Sequence, residues 1–150
     1  MNKMLNEMGK HATQAATLLR KATTEKKNEA LFSMEKALYE HEEIILEANQ
    51  KDVLQAHKNK LTTPMIERLT LTKNRIHAMA QSIHQIAELP DPIGSIEEVS
   101  TDNGLKIGKQ RVPLGVIGII YESRPNVTSD AAALCFKSGN AVILRGGKKL

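Results

Sequence analysis

A few groups of residues in this chain of 150 could take part in chemistry. Cys135 is the lone thiol, a nucleophile or metal ligand wherever its surroundings lower its pKa. Glu122-Ser123-Arg124-Pro125-Asn126 brings carboxylate, hydroxyl, guanidinium and amide together in one short stretch. Arg145-Gly146-Gly147 sets a guanidinium, which suits a phosphate fork, beside two residues whose backbone a ligand can approach closely. The 5 histidines lie between His11 and His84, none at ligand spacing to another or to Cys135, so no metal site is expected. Cys135 itself sits in the Ala-rich run 131–136, one helical turn from Ala131. That is the setting of a thiol serving as a small hydrophobe, and it is not expected to be a catalytic nucleophile.

The elements that must position these groups follow from periodicity. Apolar residues from Met4 to Ala22 recur at spacings of three and four, an amphipathic helix. Asn28 can cap a second helix that carries Leu31, Met34 and Leu38, then Ile44, Ile45 and Ala48, on toward Ala56 as one long element. Thr63 as N-cap and Pro64 in the first helical position open a third, through Ile66, Leu69, Ile76, Met79, Ile83 and Ile86, stopping at Pro90-Asp91-Pro92. Beyond Gly94 the pattern changes. Two short segments, Ile96 to Ser100 and Leu105 to Val112, flank Thr101-Asp102-Asn103-Gly104, and Asn-Gly is a strong hairpin signal.

Val116 to Tyr121 is then an almost continuous apolar run of strand length, followed by a helix that Asn126 can cap and Gly139 can end. Ala141 to Arg145 is a second such strand. Strand, helix and strand over this span make a βαβ unit with parallel strands. With only two strands, Ile117, Ile119 and Ile143 are expected to lack neighbours. The fold class is α/β, organised as a helical region over residues 1–92, a hairpin over 93–112 and the start of a βαβ sheet over 113–150.

This topology places Tyr121 to Asn126 and Arg145 to Lys148 on one rim, beyond the carboxyl ends of the strands, where open α/β sheets bind ligands. Charge agrees with that placement. Residues 1–100 carry 13 basic against 14 acidic side chains, whereas residues 101–150 carry 8 against 3. The rim should therefore take an anion such as a nucleotide phosphate. With no Trp, no RNA-binding signature and no zinc spacing, nucleic acid is not the expected partner. An apolar content of 41% excludes a disordered polymer, and no run is long enough to span a membrane. Absence of a secretory signal and a single cysteine favour the cytoplasm.

Pro113-Leu-Gly-Val-Ile-Gly-Ile-Ile-Tyr-Glu-Ser-Arg-Pro-Asn-Val-Thr128, with Asp130-Ala-Ala-Ala-Leu-Cys-Phe-Lys-Ser-Gly-Asn-Ala-Val-Ile-Leu-Arg-Gly-Gly147, resembles the gamma-glutamyl phosphate reductases, within the aldehyde dehydrogenase superfamily. Ile45 to Asp52, Met65 to Leu71, Arg75 to Ala80 and Leu89 to Gly94 extend the likeness over roughly residues 8–147. The resemblance implies the N-terminal portion of an NADPH-binding domain. The reaction it implies is reduction of L-glutamyl 5-phosphate to L-glutamate 5-semialdehyde and phosphate, the second step of proline biosynthesis. In that reaction a cysteine thiolate displaces phosphate and NADPH reduces the resulting thioester.

The nucleophilic cysteine is expected downstream, in a catalytic domain beyond this chain. The resemblance also implies that Tyr121 and Glu122 meet the cofactor mainly through backbone. Arg145, with Gly146 and Gly147, would reach the adenosine ribose or its 2′-phosphate. Ser123 stands where the superfamily carries an asparagine oxyanion donor, which leaves it only a place beside the nicotinamide. Asn126 is a candidate substrate contact and equally a plain helix cap. Family members imply a homo-oligomer functionally linked to glutamate 5-kinase. On this reading the isolated chain lacks turnover. A noncatalytic helical and hairpin association module is the alternative.

Relatives commonly continue past the two glycines with Glu-Ala, whereas this chain reads Lys148-Lys149-Leu150. Codons for Lys-Glu-Ala that lose one base read Lys-Lys-Leu, so a shifted or truncated reading frame is expected. Sequencing past the codon for Leu150 tests this, and the expectation fails if no downstream frame encodes the rest of a reductase.

Overall fold

The computed structural model describes residues 3–100, 104–122 and 124–146. Helices α1 (Lys3–Leu19), α2 (Thr24–Glu40), α3 (Glu42–Lys58), α4 (Thr63–Leu69) and α5 (Lys73–Glu88) come first. Strands β1 (Ile96–Ser100), β2 (Lys106–Gln110) and β3 (Val116–Tyr121) follow, then helix α6 (Pro125–Lys137) and strand β4 (Ala141–Gly146). The α/β class and the sequence of helices, hairpin and βαβ unit are those expected. Residues 101–103 of the expected Asn-Gly turn lie outside the described residues, and Gly104 itself has φ +78.

Two of the expected long helices are each broken in two. The second begins at Thr24, because Thr23 rather than Asn28 is the N-cap, its Oγ1 accepting from Lys26 N at 3.3 Å. It stops at His41, which ends α2 and begins α3 at φ −107, ψ 16. The break puts Glu42 and Glu43 in the first turn of α3, where the helix dipole favours carboxylates. The third expected helix is capped by Thr62, not Thr63, with Pro64 inside the first turn. It opens out at residues 70–72, where buried Asn49 of α3 grips the backbone: Nδ2 donates to Leu69 O at 2.9 Å and Oδ1 accepts from Leu71 N at 2.7 Å. Helix α3 itself closes with Lys60 in the left-handed region, φ 55. Lys60 N donates to His57 O and Leu61 N to Ala56 O, a Schellman pair that usually takes glycine.

The core forms where α5 lies on α2 and α6. Leu31, Ile83, Ile86, Ala87 and Ala133 are buried together, with Met34, Leu38 and Phe136 packed on them. The α6 helix ends in its own Schellman pair around Gly139, φ +74, with Gly139 N bonded to Phe136 O and Asn140 N to Cys135 O. Asn140 then turns the chain into β4, accepting from Gly115 N at 2.9 Å. Strands β3 and β4 pair parallel, and β1 and β2 antiparallel. Ile117, Ile119 and Ile143 are half-buried rather than stranded, because α1 and α6 both pack on the sheet. Exposure falls instead on the alternate positions of β3, with Ile120 84% exposed.

A buried ionic cluster joins these layers. Lys27 and Lys137 are 2% and 3% exposed. Lys27 Nζ contacts Asp91 Oδ2 at 2.5 Å and donates to Lys137 O at 3.1 Å. Lys137 Nζ donates to Asn28 Oδ1 and to Ala87 O, each at 2.7 Å. Asp91 also accepts from Thr24 Oγ1 at 2.8 Å and from Ile93 N at 3.0 Å. Burial pushes the Asp91 carboxyl up, but the hydrogen bonds from Lys27, Ile93 and Thr24 outweigh it and hold it below its ordinary 3.8. Burial pushes the Lys137 ammonium down, a shift that Asp91 opposes and the charge of Lys27 reinforces.

Two tests follow from this packing. Asp91→Asn leaves two buried ammonium groups without a counter-ion and should destabilise by about 3 kcal/mol in urea unfolding. The Asp91 contribution is fully present above the unfolded value near 3.8 and should be lost as pH falls through the lower folded value. Lys60→Gly removes a left-handed non-glycine residue and should raise stability by about 0.5–1 kcal/mol, measured in the same assay.

Candidate functional site

The parallel register sets Ile120 opposite Arg145 and Tyr121 opposite Gly146, so β3 and β4 end on one rim. From there β3 enters α6 through a tight connection: Arg124 N donates to Glu122 O at 2.7 Å, and Val127 N to Arg124 O at 3.1 Å. Arg124 occupies the N-cap, φ −126 and ψ 105, with no side-chain capping bond. The cap expected at Asn126 is therefore displaced. Pro125, with φ already fixed for a helix and no N–H to satisfy, takes the first helical position. Asn126 falls inside the first turn, exposed, with its carbonyl accepting from Ser129 Oγ at 2.8 Å.

Tyr121 braces the rim. Its phenol oxygen lies 2.6 Å from Thr128 Oγ1 on α6, and a Cβ on Gly146 would stand 3.8 Å from its ring. The ring thus covers the end of β4 while its hydroxyl reaches the helix. Arg124 and Arg145 are exposed on this rim beside exposed Glu122. Among the described residues no acidic residue stands in the first turn of α6, and Arg124 at its N-cap makes no side-chain capping bond. Among the described residues, two guanidiniums and the start of a helix against one carboxylate give a positive rim, which suits a phosphate-bearing ligand. Ser123 and Gly147 lie outside the described residues. Of the candidate residues, Tyr121, Glu122, Arg145 and Gly146 thus gather at the strand ends, with Asn126 on the adjoining helix turn.

The remaining candidates lie apart. Cys135 is buried on α6, 6% exposed, and burial pushes its thiol up, away from a thiolate. Among the described residues no group of three or more His, Cys, Asp or Glu could hold a metal. An apolar cleft of about 780 Å³ runs along β4 and is lined by Met4, Met8, Met34, Phe136 and Leu144 among others. With few polar groups in its walls, it offers packing rather than chemistry.

Sequence reasoning missed the Lys27–Asp91–Lys137 cluster and also Asp130. Asp130 Oδ1, in the second turn of α6, is buried without a hydrogen-bond partner among the described residues. An acidic residue directly before an alanine run was the available signal. For Lys137 the signal was a cation directly after the apolar run 131–136, in the last turn of the helix and just before the glycine that ends it.

No protein-family model matches the chain. It is 55% identical over 139 residues to the gamma-glutamyl phosphate reductase of Caldanaerobacter subterraneus subsp. tengcongensis, covering 92% of this chain and 34% of that protein. Its identity to the Carboxydothermus hydrogenoformans protein of the same name is 54% over 150 residues, 99% of this chain and 36% of that one. The crystal structure of gamma-glutamyl phosphate reductase from Thermotoga maritima superposes with a TM-score of 0.91 at 41% identity, covering 97% of this chain and 35% of that one. The chain therefore spans about a third of the length of the relatives it matches. Over that third, in sequence and in fold alike, this chain belongs to the gamma-glutamyl phosphate reductase family.

Proposed function

We propose that this chain is the cofactor-binding N-terminal portion of a cytoplasmic enzyme that reduces L-glutamyl 5-phosphate to L-glutamate 5-semialdehyde and phosphate with NADPH. The reading takes the helical region 1–92, the hairpin 93–112 and the βαβ start 113–150 as portions of one NADPH-binding domain. The observation that supports it best is the donor-rich rim formed by β3, β4 and the start of α6, in a chain more than half identical to reductases of that name.

NADPH, when bound, supplies the hydride. The residues of this chain bind and orient. Arg145 takes the phosphate on the adenosine side, and Gly146 and Gly147 let backbone approach it. Tyr121 and Glu122 meet the cofactor mainly through backbone and Ser123 is assigned only a place beside the nicotinamide, with the Tyr121–Thr128 contact fixing the strand end against α6. Asn126, exposed in the first turn, faces the side from which substrate would arrive. The nucleophilic thiolate comes from outside this chain, since Cys135 is buried and its thiol is held protonated.

The hairpin supports an association role in the same protein. Ile96, Leu105 and Ile107 are exposed on it, and a two-stranded ribbon is not stable by itself. It would serve a homo-oligomer whose substrate is delivered by a glutamate 5-kinase.

Fluorescence titration tests the cofactor assignment. The chain should bind NADPH, and Arg145→Ala should weaken that binding on the order of tenfold while affecting NADH less, because only NADPH carries the 2′-phosphate. Equal loss for both cofactors would remove Arg145 from the phosphate site. Cys135→Ser should leave binding unchanged. The chain alone should show no turnover of glutamate 5-semialdehyde with NADP and phosphate, and measurable turnover would place the catalytic thiol within it.

A further inference from the structure

The contact between α5 and the α2–α3 pair carries the same trio of side chains twice. His84 Nδ1 lies 2.8 Å from Glu35 Oε2 on α2, and its ring meets that of Phe32 at a centroid distance of 5.2 Å. Two turns earlier on α5, His77 Nε2 lies 2.7 Å from Glu42 Oε2 on α3, and its ring meets Tyr39 edge-on at 5.1 Å. The histidines, the carboxylates and the aromatics are each one heptad apart, and they pair in antiparallel order. Seven residues are about two helical turns, so the repeat keeps both histidines on one side of α5 and both aromatics on one side of α2.

Glu35 faces His84 from α2, and Glu42 faces His77 from α3. On α5 itself, Glu88 stands 3.5 Å from His84 Nε2, and Lys73 holds the other oxygen of Glu42 at 3.1 Å. Helix α6 also packs on α5, but its Lys137 is engaged by Ala87 O and Asn28 at the far end. Lys36 on α2 pairs with Glu40 at 3.5 Å. The charged groups that His84 contacts, Glu35 and Glu88, are thus both carboxylates.

We propose that these repeated imidazole–carboxylate units form a proton-operated clasp, in which protonation of His84, with His77 repeating its geometry, tightens α5 against α2 and α3. A neutral imidazole gives Glu35 a hydrogen bond; a protonated one gives a hydrogen bond with charge behind it. The Glu35 hydrogen bond raises His84 above its ordinary 6.5, opposed by partial burial and reinforced by Glu88. Burial pushes the Glu42 carboxyl up, but hydrogen bonds from Lys73 and His77 prevail and lower it, so it stays ionised throughout this range. A histidine raised in the folded state stabilises fully below the unfolded value near 6.5, and that stability is lost as pH rises through the higher folded value.

Urea unfolding of the chain between about pH 8.5 and about pH 6 tests the clasp, because carboxylates stay ionised across that window. The midpoint should rise as pH falls. His84→Gln should remove about half or more of that rise, and Glu35→Gln should match it. His11→Gln, on α1, should leave the rise intact. A midpoint independent of pH, or a His84→Gln chain with the original pH dependence, overturns the proposal. So does the absence of a cooperative transition at every pH, since the clasp would then act on no fold.

Discussion

One carboxylate between two buried ammonium groups sets the geometry of this chain. Asp91 neutralises only part of the charge on Lys27 and Lys137, and the remainder is met by the negative ends of helices. Lys137 Nζ plugs the α5 carbonyl at Ala87, and Lys27 Nζ plugs the α6 carbonyl at Lys137. Each lysine thereby caps the carboxyl end of a helix other than its own. The rim depends on this anchor, because α6 is 13 residues long and its start lies roughly 20 Å from the fixed end. Any change in the angle of α6 at Lys137 would be carried to Pro125 and Arg124, where the helix meets the end of β3.

Buried polar side chains hold the other places where the backbone changes direction. Asn49 satisfies Leu69 O and Leu71 N as α4 passes into α5, Asp91 satisfies Ile93 N as α5 passes toward the hairpin, and Asn140 satisfies Gly115 N as α6 passes into β4. At each junction the chain leaves regular structure in a buried or part-buried setting, and a side chain supplies the partner its backbone group needs. Apolar packing around Leu31, Ile83 and Ala133 holds the layers together, while these side chains decide where each layer begins and ends.

Element type was legible wherever periodicity is strong. The apolar spacing from Met4 to Ala22, the unbroken run from Val116 to Tyr121, and Gly139 as a helix stop each led to the element found, and the order of strands led to the rim. Breaks within helices were not legible, and for local reasons. Lys60 performs a terminator's work with a residue that carries no such signal, and His41 interrupts a stripe that continues with apolar residues on both sides. The opening at residues 70–72 is imposed by Asn49, some 20 positions away in sequence, and no local pattern announces it. At the site, Arg145 and Tyr121 could be placed from topology alone, whereas the cap at Arg124 turned on whether Pro125 or Asn126 would begin the helix. The ionic cluster joins residues from four segments, and, Lys137 apart, its side chains read locally as ordinary surface groups.

The separation of its members gives that cluster a meaning in time as well as in space. The contacts that close it span 110 positions from Lys27 to Lys137, 109 from Asn28 to Lys137 and 50 from Ala87 to Lys137. Loop closure over such distances precedes any reward, so the helices can form early but cannot settle until α6 arrives. During synthesis Lys27 and Asp91 can pair as soon as residue 91 is free, whereas Asn28 and the carbonyl of Ala87 must wait, hydrated, until Lys137 has emerged. Completion of the cluster is thus timed by the final turn of α6.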